Sequence, residues 1–266
     1  RYFSNKVLNI KNINQPIVNM EFAVRGEVVN KAADYEKQLA EGKKLPYEKL
    51  VYCNIGNPHA LKQKPISFLR QVLAVVNCPE LMNHQNIFPK DVYTRAKYYI
   101  DGIPGGTGAY SNSRGALCVR KEVVDFLKRR DGYEVDPENI FLTDGASAGV
   151  QTIIRVVLNG KKDGLMIPIP QYPLYSATID MCEGKQVHYL IDEEKSWGLN
   201  VNHLQDVVKK ARGNGINVKG ITVINPGNPT GTTLELENMK DIVRFCNDEK
   251  VVLMADEVYQ ENLWST

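Results

Sequence analysis

The sequence predicts an α/β protein with a largely parallel sheet. From Asn139 onward, short apolar runs alternate with stretches of helical periodicity, as in chains whose helices connect parallel strands. The clearest unit is an apolar run at 220–224, a helical pattern at 235–248 and a second apolar run at 251–254. Each run stops at polar or turn-forming residues, which predicts buried strands with polar groups at their carboxyl ends.

The other elements are justified in the same way. Apolar residues at helical spacing predict helices from Gly26 or Glu27 to Leu39 and at 66–76, 89–100, 117–130, 148–158, 174–182, 201–212 and 235–248. Short runs of apolar and β-branched residues predict strands at 50–55, 140–142, 164–168, 187–190, 220–224 and 251–254.

Length and chain ends suggest a piece of a longer protein. A chain of 266 residues can form one large domain or one and a half. Residue 1 is Arg, and the stretch 263–266 shows no terminal helix or charged tail, so we expect the chain to stop within a domain. The start, Arg1–Ser4, resembles the tail of a cleaved mitochondrial presequence. The Pro- and Lys-rich stretch at 57–65 is the plausible internal boundary.

Composition argues against several functional classes. A net charge of +2, with 33 basic and 31 acidic residues intermixed, does not favour a nucleic-acid or membrane-surface partner. No apolar run reaches the roughly 18 residues of a membrane span. The cysteines are odd in number and lack metal-ligand spacing, so we expect no metal and buried thiols in a reducing compartment: Cys53, Cys78, Cys118, Cys182 and Cys246.

A glycine cluster between Asp101 and Gly115 invites a nucleotide-binding interpretation, which fails. Gly106 and Gly108 lack the third glycine at position 111, no strand precedes them, and no Gly-Lys-Ser/Thr follows. The stretch is therefore expected to be a loop that exposes Tyr110 and a neighbouring serine.

Four predicted strand ends carry groups that a ligand could use. Small residues and a hydroxyl at a helix start favour an anion such as phosphate, and a tyrosine between prolines can stack on a flat ligand. An Asn-Pro-Gly-Asn turn and an Asp-x-x-Tyr sequence follow the last two strands. Each turn has an ordinary alternative, such as helix capping by Asp144 or Ser147 or a tyrosine packed on the sheet edge. Together they match pyridoxal phosphate, whose ring nitrogen would pair with the Asp.

The motifs resemble the fold-type I, aspartate aminotransferase-like enzymes, and the resemblance covers essentially the whole chain. The family motifs are matched at 144–147, 170–172, 225–231 and 256–259. Similarity to the alanine aminotransferase branch rests on 22–27, 54–60, 63–72 and 108–111. The resemblance implies a large domain with a mostly parallel sheet flanked by helices, plus the N-terminal part of the small domain. Residues 1–62 would be the N-terminal arm and the first part of the small domain, and 63–266 an incomplete large domain.

The resemblance also implies residue roles. The cofactor-binding residues would be Ala146 and Ser147 at the phosphate, Tyr172 stacked on the ring, Asn228 and Tyr259 at the phenolic oxygen, and Asp256 at the ring nitrogen. Tyr110 would reach the phosphate in the other subunit of a homodimer, and the backbone of Gly56 would border the substrate. The family's catalytic Lys and its substrate-carboxylate Arg are expected beyond Thr266.

The implied activity is transamination between L-alanine and 2-oxoglutarate, giving pyruvate and L-glutamate, in the cytoplasm or mitochondrial matrix. The alternatives are an aromatic or kynurenine-type aminotransferase and a lyase of the same fold. A non-catalytic pyridoxal-phosphate-binding module, either regulatory or lacking the Lys, is a further alternative. A nucleotide-dependent enzyme is disfavoured by the failed motif tests.

Overall fold

The computed structural model describes residues 8–22 and 26–262 of the chain. Three sequence features lie outside these residues: the presequence-like start Arg1–Ser4, Ala23–Arg25 within the motif at 22–27, and the last four residues, 263–266.

The chain forms two compact units. The first combines Arg1–Asn54 with Gly145–Thr266, and the second is Ile55–Asp144. The domains expected from the sequence, 1–62 and 63–266, concern the longer protein and stay a prediction.

The first unit is built on a four-stranded parallel sheet, as the sequence predicts. The strands are β1 (Asp163–Ile169), β2 (Lys185–Leu190), β3 (Asn217–Ile224) and β4 (Val252–Asp256), in the spatial order β2-β1-β3-β4. The connection from β1 to β2 leads toward one edge of the sheet, and the connection from β3 to β4 leads toward the opposite edge. This reversal places a topological switch point between β1 and β3, where open α/β sheets bind ligands at the strands' carboxyl ends.

Helices flank the strands, and each helix predicted from periodicity is found with its ends shifted by at most two residues. In chain order they are α1 (Gln15–Asn19), α2 (Glu27–Ala40), α3 (Ser67–Asn77), α4 (Lys90–Gly102), α5 (Leu117–Asp131), α6 (Ala146–Val157), α7 (Leu174–Met181), α8 (Val201–Gly213) and α9 (Leu236–Glu249). The short α1 and the 3₁₀ turns at Pro79–Asn83, Pro137–Asn139 and Glu193–Lys195 were not predicted.

Both faces of the sheet are covered. On one face, Met166, Tyr189 and Ile221 of the strands pack with residues of α8 and α9, among them Leu204 and Phe245. On the opposite face, strand residues pack against α6 and α7 in a second buried cluster of Ile154, Leu158, Leu165, Ile167, Tyr175 and Ile179. Burial of a large aliphatic or aromatic side chain contributes about 1.5–3 kcal/mol, so the two layers hold the strand ends in fixed positions.

The second unit has its own small core, in which α3 and α4 pack through Val72, Val75 and Val92. Its helix α5 ends at Gly132, whose φ of 81° is the left-handed conformation that closes many helices. The buried Arg120 of α5 donates to the carbonyl oxygens of Gly115 and Pro137 and pairs with Glu138.

Two predicted strands are wrong. Among the described residues, no strand pairs with the stretch 50–55 or with 140–142. The second stretch is extended at Ile140 (φ −97°, ψ 127°), and the amide of Leu142 donates to the carbonyl oxygen of Arg114 at 2.9 Å. A β-branched or apolar run creates a strand only when a neighbouring strand accepts its hydrogen bonds.

The expectation that the cysteine thiols are buried is confirmed for only some of the five cysteines. Cys118 and Cys246 are buried, Cys182 is half-buried, and Cys53 and Cys78 are exposed. Burial raises the pKa of the Cys246 thiol to about 11, so this thiol stays protonated and unreactive near neutral pH. None of the described helices combines the length and apolarity needed to cross a bilayer.

Candidate functional site

An open cleft of about 380 Å³ lies at the carboxyl edge of the sheet in the first unit. Its walls come from α6, α7 and the end of β4, and include Ala146, Val150, Tyr175, Met254 and Asp256. The cleft therefore brings a helix N-terminus and a strand-end carboxylate, 110 positions apart in sequence, to the same site.

The N-terminus of α6 forms the anion-favouring part of this cleft. Its N-cap is Gly145, with φ 80° and ψ 168°, and no side chain caps the helix. The alternative of capping by Asp144 or Ser147 is therefore wrong. The left-handed φ explains the glycine, because another L-residue would be strained there. Ala146 and Ser147 begin the helix and are exposed, so their amides and the helix dipole can face an anion.

Asp256 contributes a carboxylate to the cleft. It ends β4 and is half-buried, and its two carboxylate oxygens have different donors. Oδ1 accepts a hydrogen bond of 3.1 Å from the amide of Val258, and Oδ2 accepts one from the Tyr175 hydroxyl. Together these two bonds orient the carboxylate.

Asn228 and Tyr259 form a second pair, on the loops that follow β3 and β4. Asn228 Nδ2 donates to the Tyr259 hydroxyl at 3.3 Å, and both residues line a separate cleft of about 300 Å³. The loop that carries Asn228 is braced, because Asn225 Oδ1 accepts from the Leu234 amide at 3.0 Å. The Asn225 amide donates to the Asp256 carbonyl at 2.9 Å, which extends the β3–β4 pairing to this edge.

Tyr172 lies in the turn between β1 and α7 and is half-buried. The ring of Phe22 meets the Tyr172 ring edge to face, with centroids 6.2 Å apart and planes at 79°. This contact limits the orientations that the Tyr172 ring can adopt. Beside it, Gln171 Oε1 is buried without a hydrogen-bond partner in the described structure, so the turn holds an acceptor available to a ligand.

The structure thus brings six of the predicted residues to one edge of one sheet: Ala146, Ser147, Tyr172, Asn228, Asp256 and Tyr259. The other two, Gly56 and Tyr110, belong to the second unit. Tyr110 is fully exposed in this chain, and a Cβ on Gly56 would meet no atom within 4 Å.

Sequence reasoning missed three neighbours of these residues: Phe22, Gln171 and Tyr175. Tyr175 was assigned only to the predicted helix at 174–182, although it is 1% exposed and bonds to Asp256. Tyr175 follows Tyr172 by three positions, and nothing in that spacing identifies Asp256 as its partner.

Comparison with known proteins gives a consistent result. A family model described as aminotransferase class I and II matches residues 73–266. A probable mitochondrial alanine aminotransferase of Dictyostelium discoideum is 50% identical over 97% of this chain and 50% of its own length. Glutamate–glyoxylate aminotransferase 2 of Arabidopsis thaliana is also 50% identical, over 97% of this chain and 53% of its own.

Solved structures share the fold. The alanine aminotransferase from Pyrococcus furiosus superposes with a TM-score of 0.70, at 22% identity, over 93% of this chain and 52% of that one. The chain spans about half the length of the relatives it matches.

Proposed function

Because the chain belongs to the aminotransferase class I and II family, we propose that the longer protein transfers an amino group from L-alanine to 2-oxoglutarate. The family uses pyridoxal 5′-phosphate. The observation that carries the proposal is the cleft in which the α6 N-terminus and the Asp256 carboxylate face a common space. The named activity of the Dictyostelium relative supports the choice of alanine.

The donor set of the cleft fits the cofactor. Uncapped amides at Ala146 and Ser147 suit a phosphate, and an oriented carboxylate at Asp256 suits a protonated ring nitrogen. The amide of Asn228 and the hydroxyl of Tyr259 lie together and would donate to the phenolic oxygen. Tyr172 would stack on the ring.

When bound, pyridoxal phosphate supplies an electron sink for the bond broken at the amino acid's α-carbon. The chain's own residues make that sink effective. Asp256 would hold the proton on the ring nitrogen, because its negative charge favours the pyridinium form. The amides of α6 would bind the phosphate at the other end, so the ring would be fixed at both ends.

Residues outside the first unit would complete the site. Tyr110 would reach the phosphate bound by the other subunit of a homodimer, in agreement with its full exposure here. The Gly56 backbone would border the substrate, with no side chain to fill that space. The Lys that bonds the cofactor and the Arg that binds the substrate carboxylate would lie beyond Thr266. We place the protein in the mitochondrial matrix or cytoplasm, on the name of the Dictyostelium relative.

A second candidate is transfer from glutamate to glyoxylate, favoured by the equal identity to the Arabidopsis enzyme. Both candidates use the same cofactor chemistry and differ in the pair of substrates.

A panel of substrates tests the proposal. The full-length protein, loaded with pyridoxal phosphate, would be assayed with L-alanine, L-glutamate, L-phenylalanine and L-kynurenine as donors, and with 2-oxoglutarate and glyoxylate as acceptors. We expect the highest kcat/KM for L-alanine with 2-oxoglutarate. A preference for glutamate with glyoxylate would select the second candidate, and a preference for an aromatic donor would overturn both.

A further inference from the structure

The hydroxyl of Tyr175 is the nearest side-chain donor to the Asp256 carboxylate among the described residues. Tyr175 is the second residue of α7, is 1% exposed and packs in the apolar layer between that helix and the sheet. Its hydroxyl donates to Oδ2 of Asp256, 81 positions away in the sequence. The contact joins the helix that follows β1 to the end of β4, across the switch point of the sheet.

The carboxylate is held from two directions. The Val258 amide donates to Oδ1 at 3.1 Å, while Tyr175 donates to Oδ2. A carboxylate has about four lone-pair sites, so these two bonds fix its plane and leave acceptor positions for a further donor. The Val258 bond comes from the same turn as Asp256 itself. Tyr175 is therefore the side-chain donor that connects the Asp256 carboxylate to α7.

The environment of Tyr175 suits a permanent donor. Burial, and secondly the bond to Asp256, raises the pKa of its hydroxyl well above the usual range, so the proton stays on the phenol. A buried hydroxyl without an acceptor would be costly, and Asp256 is the acceptor found here.

We propose that Tyr175 is a positioning residue that holds the Asp256 carboxylate oriented toward the ring nitrogen of the cofactor. The inference rests on the proposed function and deepens it. Through this contact, α7 would influence how strongly the cofactor ring withdraws electrons from the substrate. Loss of the hydroxyl would let the carboxylate rotate away from the ring nitrogen, so the proton on that nitrogen would be held less firmly.

Tyr189 provides a matched control. It is also a buried tyrosine of the first unit, on strand β2 and 1% exposed, but its hydroxyl donates to the backbone carbonyl of Thr222 at 2.7 Å. Tyr189→Phe removes one buried hydrogen bond without touching Asp256. The pair Tyr175→Phe and Tyr189→Phe therefore separates the loss of a core hydrogen bond from an effect on the carboxylate.

The test uses full-length protein reconstituted with pyridoxal phosphate that carries ¹⁵N at the ring nitrogen. The ¹⁵N chemical shift distinguishes protonated from unprotonated pyridine, and a titration gives the cofactor affinity. We expect Tyr175→Phe to move the resonance toward the unprotonated position and to weaken binding about tenfold. Tyr189→Phe should leave both unchanged. If the two variants give the same shift and affinity, Tyr175 has only a structural role and the proposal is overturned.

Two further measurements keep the result decisive. The first places 3-fluorotyrosine at position 175, whose hydroxyl is a stronger donor in nearly the same volume. We expect the ¹⁵N resonance of this protein to move toward the protonated position. This measurement does not depend on whether Tyr175→Phe folds. No movement there would contradict the proposal. A wild-type protein that binds no cofactor, or binds it with an unprotonated ring nitrogen, would overturn the proposed function itself.

Discussion

At the scale of single residues, the candidate site depends on polar residues at and just after the carboxyl ends of neighbouring strands. Asp256 is the last residue of β4, and its register partner across the ladder is Ile224, the last residue of β3. Parallel pairing of these strand ends explains why the Asn228 loop and the Asp256 turn lie side by side. The exact partners of each side chain then depend on the helices packed behind them.

Asp256 offers a direct test at this scale. In the full-length protein, Asp256→Ala should lower kcat about 10²- to 10⁴-fold, because removing one member of a charge pair that the bound cofactor buries costs roughly 3–5 kcal/mol. Steady-state kinetics with saturating pyridoxal phosphate would measure the loss. Asp241→Asn, which removes an exposed carboxylate of α9 paired with Arg244, is the control and should retain full activity. Retention of activity within about twofold by Asp256→Ala would contradict the assigned role.

Sequence reasoning predicted the residues at the strand ends but not their supports. Strand-end turns are visible because Asn, Pro, Gly and Asp interrupt apolar runs. The supports, Tyr175 and Phe22, are aromatic residues whose sequence pattern is equally suited to simple packing. Which atom each one contacts is decided by tertiary structure, over separations of 81 and 150 positions.

At the scale of elements, periodicity predicted every helix longer than five residues in the described chain, together with the four paired strands. These elements carry a one-sided apolar pattern that the fold buries. The errors at 50–55 and 140–142 have a common cause. A strand is defined by its neighbour, and an isolated apolar run contains no information about whether a partner strand is present.

The segment at 140–142 is nevertheless held firmly, and Gly115 shows how. Gly115 has φ 100°, and a Cβ there would approach Leu142 side-chain atoms at 2.5–2.8 Å. Gly115→Ala should therefore destabilise the protein by roughly 2–4 kcal/mol, from backbone strain together with overpacking. Gly132→Ala is the control, because Gly132 has φ 81° but no atom within 4 Å of a Cβ, so it should cost only about 1–2 kcal/mol.

Urea unfolding of the full-length variants would measure these free energies, and a double mutant separates the two causes. Leu142→Ala removes Cγ and Cδ1, the two closest of the three Leu142 atoms that crowd position 115, and keeps Cβ. Gly115→Ala should therefore cost less in that background than in the wild type. Equal costs in both backgrounds would show that contact with Leu142 is not the reason for the glycine.

At the scale of the whole molecule, the chain brings most of the candidate site residues together in its first unit. The first unit holds the sheet edge with its anion-favouring helix start, its carboxylate and its Asn–Tyr pair. The α/β class and the parallel sheet followed from alternation of strands and helices alone. Membership of the family required the specific order of motifs, because the same fold supports many reactions.

The measurement that tests the central claim most directly is a half-reaction of the full-length protein reconstituted with pyridoxal phosphate. L-Alanine would be added without an acceptor, and the visible absorption band of the bound cofactor would be followed. We predict that the band falls, pyruvate appears in an amount equal to the sites, and the band returns when 2-oxoglutarate is added. A band that persists with L-alanine, while pyridoxal phosphate is bound, would contradict the claim.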